Sequence, residues 1–312
     1  WLWIPLELVG VALAVRTFGA GVGAGAVPVW QFCVAAVACG LSTGIGINVA
    51  HELMHRKGRV ERAFAEVLMM STTYTHFCVE HVHGHHKHIA TPLDPASSRP
   101  GESLYKYLPR TLLGGLRSAW RIETVRVARQ GGAGTLRDRR VRYPIGLAVV
   151  YVVVAAVAGL SGVVFFAAQS LVAMLLLETI NYIEHYGLAR REVRPGVYER
   201  TLPHHSWNSS ERLTNWVLFH LQRHADHHHI ASRPYFALRH IEDSPQLPTG
   251  YAGMLWLAAL PPLWRCVMDP RVAAWNARRD AAQRSDVAGP VAVEGHVFGG
   301  GALESGALRA AE

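Results

Sequence analysis

Residues 28–55 read P-V-W-Q-F-C-V-A-A-V-A-C-G-L-S-T-G-I-G-I-N-V-A-H-E-L-M-H. From Pro28 to Ala50 there is no charged side chain. A helix of that length crosses the ~30 Å hydrocarbon core of a bilayer. The apolar run goes straight into His51 and His55, which share a helix face at i, i+4. A membrane helix that ends in two imidazoles predicts a metal site at a membrane surface. Three more clusters repeat the theme: E-H-V-H-G-H-H (80–86), N-Y-I-E-H-Y-G-L (181–188) and L-Q-R-H-A-D-H-H-H (221–229). The four clusters hold eleven of the 18 histidines, and imidazole is the commonest metal-ligand side chain.

Composition agrees with a membrane setting. Half of the 312 residues are apolar and 17% are charged, against ~25% in ordinary soluble chains. The net charge of +8 does not argue for nucleic acid, because much of the basic excess lies between Arg56 and Arg142, flanked by apolar spans. That is the pattern of a cytoplasmic segment under the positive-inside rule. The cysteines Cys33, Cys39, Cys78 and Cys266 make no C-x-x-C pair and read as reduced, mostly buried thiols.

Residues 1–24 predict one membrane helix, and 63–79 a short, buried or partly inserted one. Residues 87–142 read as a polar cytoplasmic region with helices. Residues 145–177 carry no charge, and G-L-S-G at 159–162 is a natural turn, so a hairpin of two membrane helices is expected, returning the chain to its starting side. Residues 186–250 are polar and histidine-rich, and 251–267 predict an interfacial helix. The expected fold is all-α: an integral-membrane helical bundle with a cytoplasmic histidine-rich cap. One domain is expected over 1–285, with a disordered tail at 286–312. The missing initiator Met and the early first cluster lead us to expect further N-terminal sequence. This topology brings all four clusters to one membrane face.

The helical spacing pairs His51 with His55, His81 with His85 beside His86, and His224 with His227 and His228, while His185 ends a membrane helix. Nine imidazoles are too many for one ion and suit two. Glu52, Glu80, Glu184 and Asp226 read as carboxylates that orient imidazoles, or as occasional ligands. His83, His88 and His229 flank the clusters off their spacing, and His204 and His205 read as structural or as supports behind the ligands. H-E-L-M-H also fits the H-E-x-x-H of zinc metalloproteases, with Glu52 as general base. A membrane zinc protease is therefore the competing reading, although it leaves six clustered histidines unexplained.

The four boxes resemble those of the integral-membrane alkane 1-monooxygenases, of the membrane fatty acid desaturase and hydroxylase superfamily. The likeness extends to A-T-P-L-D-P-A-S-S-R (90–99), G-E-S-L-Y-K (101–106), H-H-S-W-N-S (204–209), L-P-T-G-Y (247–251) and V-M-D-P (267–270). It covers roughly residues 30–275, and the N-Y-I-E-H-Y-G-L box is characteristic of the alkane and xylene hydroxylase branch. The resemblance implies a bacterial inner-membrane enzyme with its active site on the cytoplasmic side. It implies two irons held by His51, His55, His81, His85, His86, His185, His224, His227 and His228, and electrons from rubredoxin with its reductase. Substrate would be a medium-chain n-alkane, hydroxylated at its terminus with dioxygen. A xylene or alkylbenzene methyl is the alternative from the same branch. Two features depart from the pattern. The family usually has about six membrane helices where four are legible here, and His229 stands where a small residue is expected, as a competing ligand.

Overall fold

The computed structural model describes residues 1–287. Among the described residues, three helices are long and apolar enough to cross a membrane. The first, α1 (Trp3–Gly23), includes a π-helical stretch at Val15–Ala20. The second, α2 (Val29–Met54), starts after Pro28, whose fixed φ suits a helix N-terminus. The third, α6 (Arg139–His185), is two arms broken at Gly159, where φ is 65°. That left-handed value favours glycine. The arms fold back on each other, with the Tyr151 and Phe166 rings 5.2 Å apart. This is the hairpin that G-L-S-G predicts. Asp138 caps α6 by accepting the Arg140 amide at 3.0 Å.

These helices are apolar without being buried. Leu6, Val9, Leu13, Val34, Val152 and Leu160 are all exposed. In water such a surface is costly, so the chain is read as membrane-spanning. Between the spans the packing is polar. Glu7 of α1 accepts from Trp3 Nε1 (2.7 Å) and Ser71 Oγ (2.6 Å). Gln169 donates to the Ser71 carbonyl (2.7 Å) and accepts from Thr43 (2.9 Å). Bonds of this kind hold helices together where hydrophobicity does not discriminate. A Cβ on Gly46 would lie 1.6 Å from Glu7 Oε2, so that carboxylate needs glycine opposite it.

The 63–79 region is two elements. Helix α3 (Arg59–Ser71) buries Ala65, Leu68 and Met69. A turn with Thr73 at positive φ follows, and then helix α4 over 77–88, which contains a π-helical segment at His81–His85. Helix α5 (Leu104–Gln130) runs through the polar region. After α6 come a small hairpin, β1 (Glu192–Arg194) with β2 (Val197–Tyr198), and the short helices α7 (Arg212–Val217) and α8 (His224–His229).

The expected interfacial helix at 251–267 is instead two helices that share the core, α9 (Tyr251–Ala258) and α10 (Pro261–Val287). Tyr251, Met254, Trp264 and Met268 are buried with Tyr182, Tyr186 and Trp207. Residues Trp1–Trp275 form one compact unit, and the chain from Asn276 on forms another, helical to Val287. The disordered tail expected from 286 lies, beyond Val287, outside the described residues. All four cysteines are free, but none is fully buried, and Cys33 and Cys266 are exposed.

Candidate metal centre

The nine clustered histidines sort into two groups. His51, His55, His81, His86 and His227 form one; His85, His185, His224 and His228 form the other. Within each group, one ligand atom per residue lies within 4.8 Å of all the others. The Nε2 atoms converge. His81 and His86 are 3.0 Å apart, His86 and His227 3.1 Å, His185 and His224 3.2 Å, and His224 and His228 2.8 Å. The groups adjoin, with the His86 and His228 rings 4.4 Å apart.

Local structure explains the sorting. His51 and His55 lie one turn apart at the end of α2 and stay together. In an α-helix His81 and His85 would share a face. The π-helical segment shifts the phase, so that His81 joins His86, five residues on, and His85 faces the second group. On α8, His224 and His228 share a face, while His227 turns to the first group. His185 closes α6 and is the only member from that helix.

The donor set fits metal ions. His51, His55 and His85 each hold a buried Nε2 with no hydrogen-bond partner, a state that is costly unless something else satisfies the nitrogen. Burial, and then the neighbouring imidazoles, push His81, His86, His224, His227 and His228 well below the usual histidine range. Burial and the charge at His85 bring His55 to about 4. Neutral imidazoles present lone pairs, which is the ligand form. His85 is the exception. Burial works against its charge, but Asp94, Glu80 and Glu184 outweigh burial and raise it to about 9. Those carboxylates favour a positive charge beside this ring.

Asp94, a residue that reading the boxes alone passes over, has the clearest supporting role. Its Oδ2 accepts from His85 Nδ1 at 2.9 Å, leaving Nε2 for a metal. It is fixed by the Ala96 amide (2.9 Å) and Ser97 Oγ (2.6 Å). The only sequence signal was its place in A-T-P-L-D-P. Glu184 accepts from Tyr251 Oη (2.6 Å) and its Oε2 lies 3.1 Å from His224 Nε2. Glu80 is buried close to His85 and Asp94, and burial raises its pKa to about 8.

The other two expected orienting carboxylates point elsewhere. Glu52 pairs with Arg56 and lies 3.4 Å from the Tyr235 amide, and Asp226 pairs with Arg233 and Arg239. Each sits beside a ligand in sequence, yet one residue along a helix is ~100° round it. His229 and His83 are exposed and His88 is half-buried; none belongs to either group. His205 is buried, accepting the Leu202 amide at Nδ1 (3.1 Å) and facing Glu199 at 3.2 Å. Glu199, His204 and His205 are themselves close enough to hold an ion. However, a neutral His205 that accepts at Nδ1 carries its proton on Nε2, toward Glu199, and this favours the structural reading.

A narrow cavity of about 30 Å³ reaches the centre. His51, His81 and His224 line it, so it touches both groups, and Ile45, Leu176 and Leu221 contribute apolar wall.

Apolar helices that end in two convergent imidazole groups define a membrane protein with a histidine-cluster site that could hold metal. The profile of the fatty acid desaturase family matches residues 28–258, a stretch that includes all nine histidines, and the chain belongs to that family. It is 50% identical over 235 residues to alkane 1-monooxygenase 1 of Pseudomonas aeruginosa, covering 75% of this chain and 61% of that protein. To the alkane 1-monooxygenase of Acinetobacter baylyi it is 44% identical over 237 residues, 76% of this chain and 58% of the relative. The hydroxylase component of a xylene/toluene monooxygenase from Pseudomonas putida is more distant, 28% identical over 234 residues, 74% of this chain and 62% of that protein. The chain thus spans about three-fifths of the length of these relatives.

Proposed function

We propose that the chain is the hydroxylase of an iron-dependent monooxygenase, which converts the terminal methyl group of a medium-chain n-alkane to a primary alcohol. Dioxygen is the oxidant. One of its atoms enters the C–H bond and the other leaves as water, consuming two electrons and two protons. The observation that carries the reading is the division of nine buried or half-buried imidazoles into adjoining groups of five and four at the ends of apolar helices. His51, His55, His81, His86 and His227 would hold one iron; His85, His185, His224 and His228 would hold the other. Iron, when bound, supplies the redox chemistry that the side chains lack.

The rest is the work of the chain itself. Asp94 fixes the His85 tautomer, and Glu184 lies against His224. Ile45, Leu176 and Leu221 offer dispersion contacts to an apolar chain, beside the polar Asn48, Asn181 and Glu184 in the same wall. The arginine-rich stretches at 56–62 and 139–142 adjoin the histidine ends of the spanning helices, and this bias supports a centre on the cytoplasmic side of a bacterial inner membrane. The resemblance to the alkane 1-monooxygenases supports rubredoxin with its reductase as the source of electrons. The exposed Lys57 and Lys87 would steer an acidic donor. Arg56 and Arg190, also in that basic region, are engaged within the chain. The protease reading loses its support because Glu52 is paired with Arg56 and both of its histidines belong to the group of five.

The test is purification in detergent, with metal analysis and turnover of n-octane. Two irons per chain, octan-1-ol as product, dependence on added rubredoxin and a rate that falls with salt are expected. One zinc per chain with peptidase activity would overturn the reading. Oxidation of an alkylbenzene methyl alone would move the substrate and leave the metal centre standing.

A further inference from the structure

The six-residue helix α8 carries His224, His227 and His228. A helix that short has no stability of its own, and its N-cap residue, Arg223, makes no side-chain cap bond. Its first-turn amide is instead met from outside. Asn208 Oδ1 accepts the Ala225 N–H at 2.8 Å.

Asn208 is itself held on every side. It is 1% exposed. Its Nδ2 donates to Ser244 Oγ at 2.5 Å. Its own amide donates to the Pro245 carbonyl, and its carbonyl accepts the Leu247 amide, both at 2.8 Å. The preceding residue is tied to the other side of the centre. The Trp207 amide donates to the Glu184 carbonyl and its indole N–H to the Tyr186 carbonyl, both at 2.8 Å. Those two carbonyls flank His185. Two consecutive residues therefore bond the backbone on both sides of His185 and the backbone between His224 and His227.

We infer that Asn208 is a positioning residue whose side-chain oxygen holds α8 in register with His185, and that the second imidazole group depends on it more than the first. The asymmetry follows from ligand counts. The group of four takes two members from α8, His224 and His228, leaving His85 and His185 without it. The group of five takes only His227, leaving His51, His55, His81 and His86. Four imidazoles from two other helices still make a site; two do not. The next residue, Asp226, ties α8 to Arg233 and Arg239. Losing the Asn208 bond therefore misplaces α8 at its N-terminal end without releasing it.

This inference rests on the two-iron reading, and the experiment separates the two. Wild type, Asn208→Ala and Asn208→Asp are purified in detergent, reconstituted anaerobically with Fe(II), desalted and analysed for iron per chain. Two irons in wild type, one in Asn208→Ala and two in Asn208→Asp, which keeps an acceptor oxygen, are expected. Wild type with fewer than two refutes the two-iron reading rather than the positioning role. Two irons, or none, in Asn208→Ala refutes the selective role, and one iron in Asn208→Asp refutes the role of the oxygen. Hydrogen–deuterium exchange on metal-free wild type reads the inference without any variant. Slow exchange over 223–229 is expected, and exchange as fast as an unstructured peptide overturns it.

Discussion

Replacing Asp94 with Asn tests the site where its charge logic is most exposed. The two side chains have nearly the same shape, so no cavity term enters. Asp94 now accepts three hydrogen bonds, from His85 Nδ1 (2.9 Å), Ser97 Oγ (2.6 Å) and the Ala96 amide (2.9 Å). An amide cannot replace all of them. With its oxygen on the Ala96 N–H, its NH2 faces His85 and favours the tautomer that carries the proton on Nε2, where a metal must bind. With its oxygen on His85, it sets N–H against the Ala96 N–H. Either arrangement loses a charge-assisted bond, worth about 1.5–3 kcal/mol. Loss of a carboxylate behind a metal-bound histidine costs roughly 10–100-fold in metal affinity, or about 1.4–2.7 kcal/mol, so the two routes agree. His85 belongs only to the group of four, so the effect should be confined there. Chelator competition on Fe(II)-loaded protein should show one iron lost 10–100-fold more readily and the other unchanged. Equal weakening of both irons, or no weakening, would refute the reasoning.

His228→Ala removes a member of the group of four and should drop alkane turnover below about a hundredth of wild type, while His229→Ala, at an exposed position, should leave turnover and iron content unchanged; the reverse pattern in product assays would move the ligand assignment to His229. Glu102 forms a two-pronged pair with Arg110 (2.7 and 2.8 Å). Burial opposes the Glu102 charge, but Arg110 outweighs it and holds the carboxyl below its usual 4.5. A depressed folded pKa means stability that is present above 4.5 and lost as the pH falls through the folded value. Glu102→Gln should therefore lower stability by about 1 kcal/mol at neutral pH and by less at pH 3, read as melting shifts in detergent; an equal shift at both pH values would exclude the linkage.

Much of the architecture is legible because membrane and metal each impose strong rules. A charge-free run before His51 and the break at Gly159 both state their structure directly. The sorting of ligands is less legible. Regular helical spacing pairs His81 with His85, but the π-helical segment at His81–His85 separates them, and no residue there announces a change of helical phase. Carboxylates adjacent in sequence mislead for a related reason: Glu52 and Asp226 sit beside ligands yet turn to arginines. Glu80 and Glu184 also adjoin ligands in sequence yet do face the centre, so adjacency alone does not decide, and the roles of Asp94 and Asn208 are revealed only by packing. The 251–267 stretch reads as interfacial because its prolines break an apolar run, whereas Tyr251 and Trp264 are buried beside Tyr182 and Tyr186.

The uneven division into five and four gives the centre an internal order of strength. The first group draws on α2, α4 and α8, with two members each from the first two. Its scaffold is a spanning helix packed against α3 and α6, and a ring stack between Phe77 and His81 at 4.7 Å. The second group draws single members from α4 and α6 and two from the short α8. Its precision rests on hydrogen bonds to Asp94, Glu184 and Asn208 rather than on long helices. A site built that way is held by a few directional bonds, each of which is costly to lose when buried. The weaker group is also the one with the denser carboxylate surroundings, since Asp94, Glu80 and Glu184 all act on His85. Four neutral imidazoles leave more of a bound ion's positive charge uncompensated than five do, and buried carboxylates offset that charge without occupying a ligand position. On the proposed two-iron reading, the iron in the group of four should therefore be the first removed by chelator from wild-type protein. Moreover, its loss should track the protonation of the carboxylates around His85 more closely than that of the first group's imidazoles.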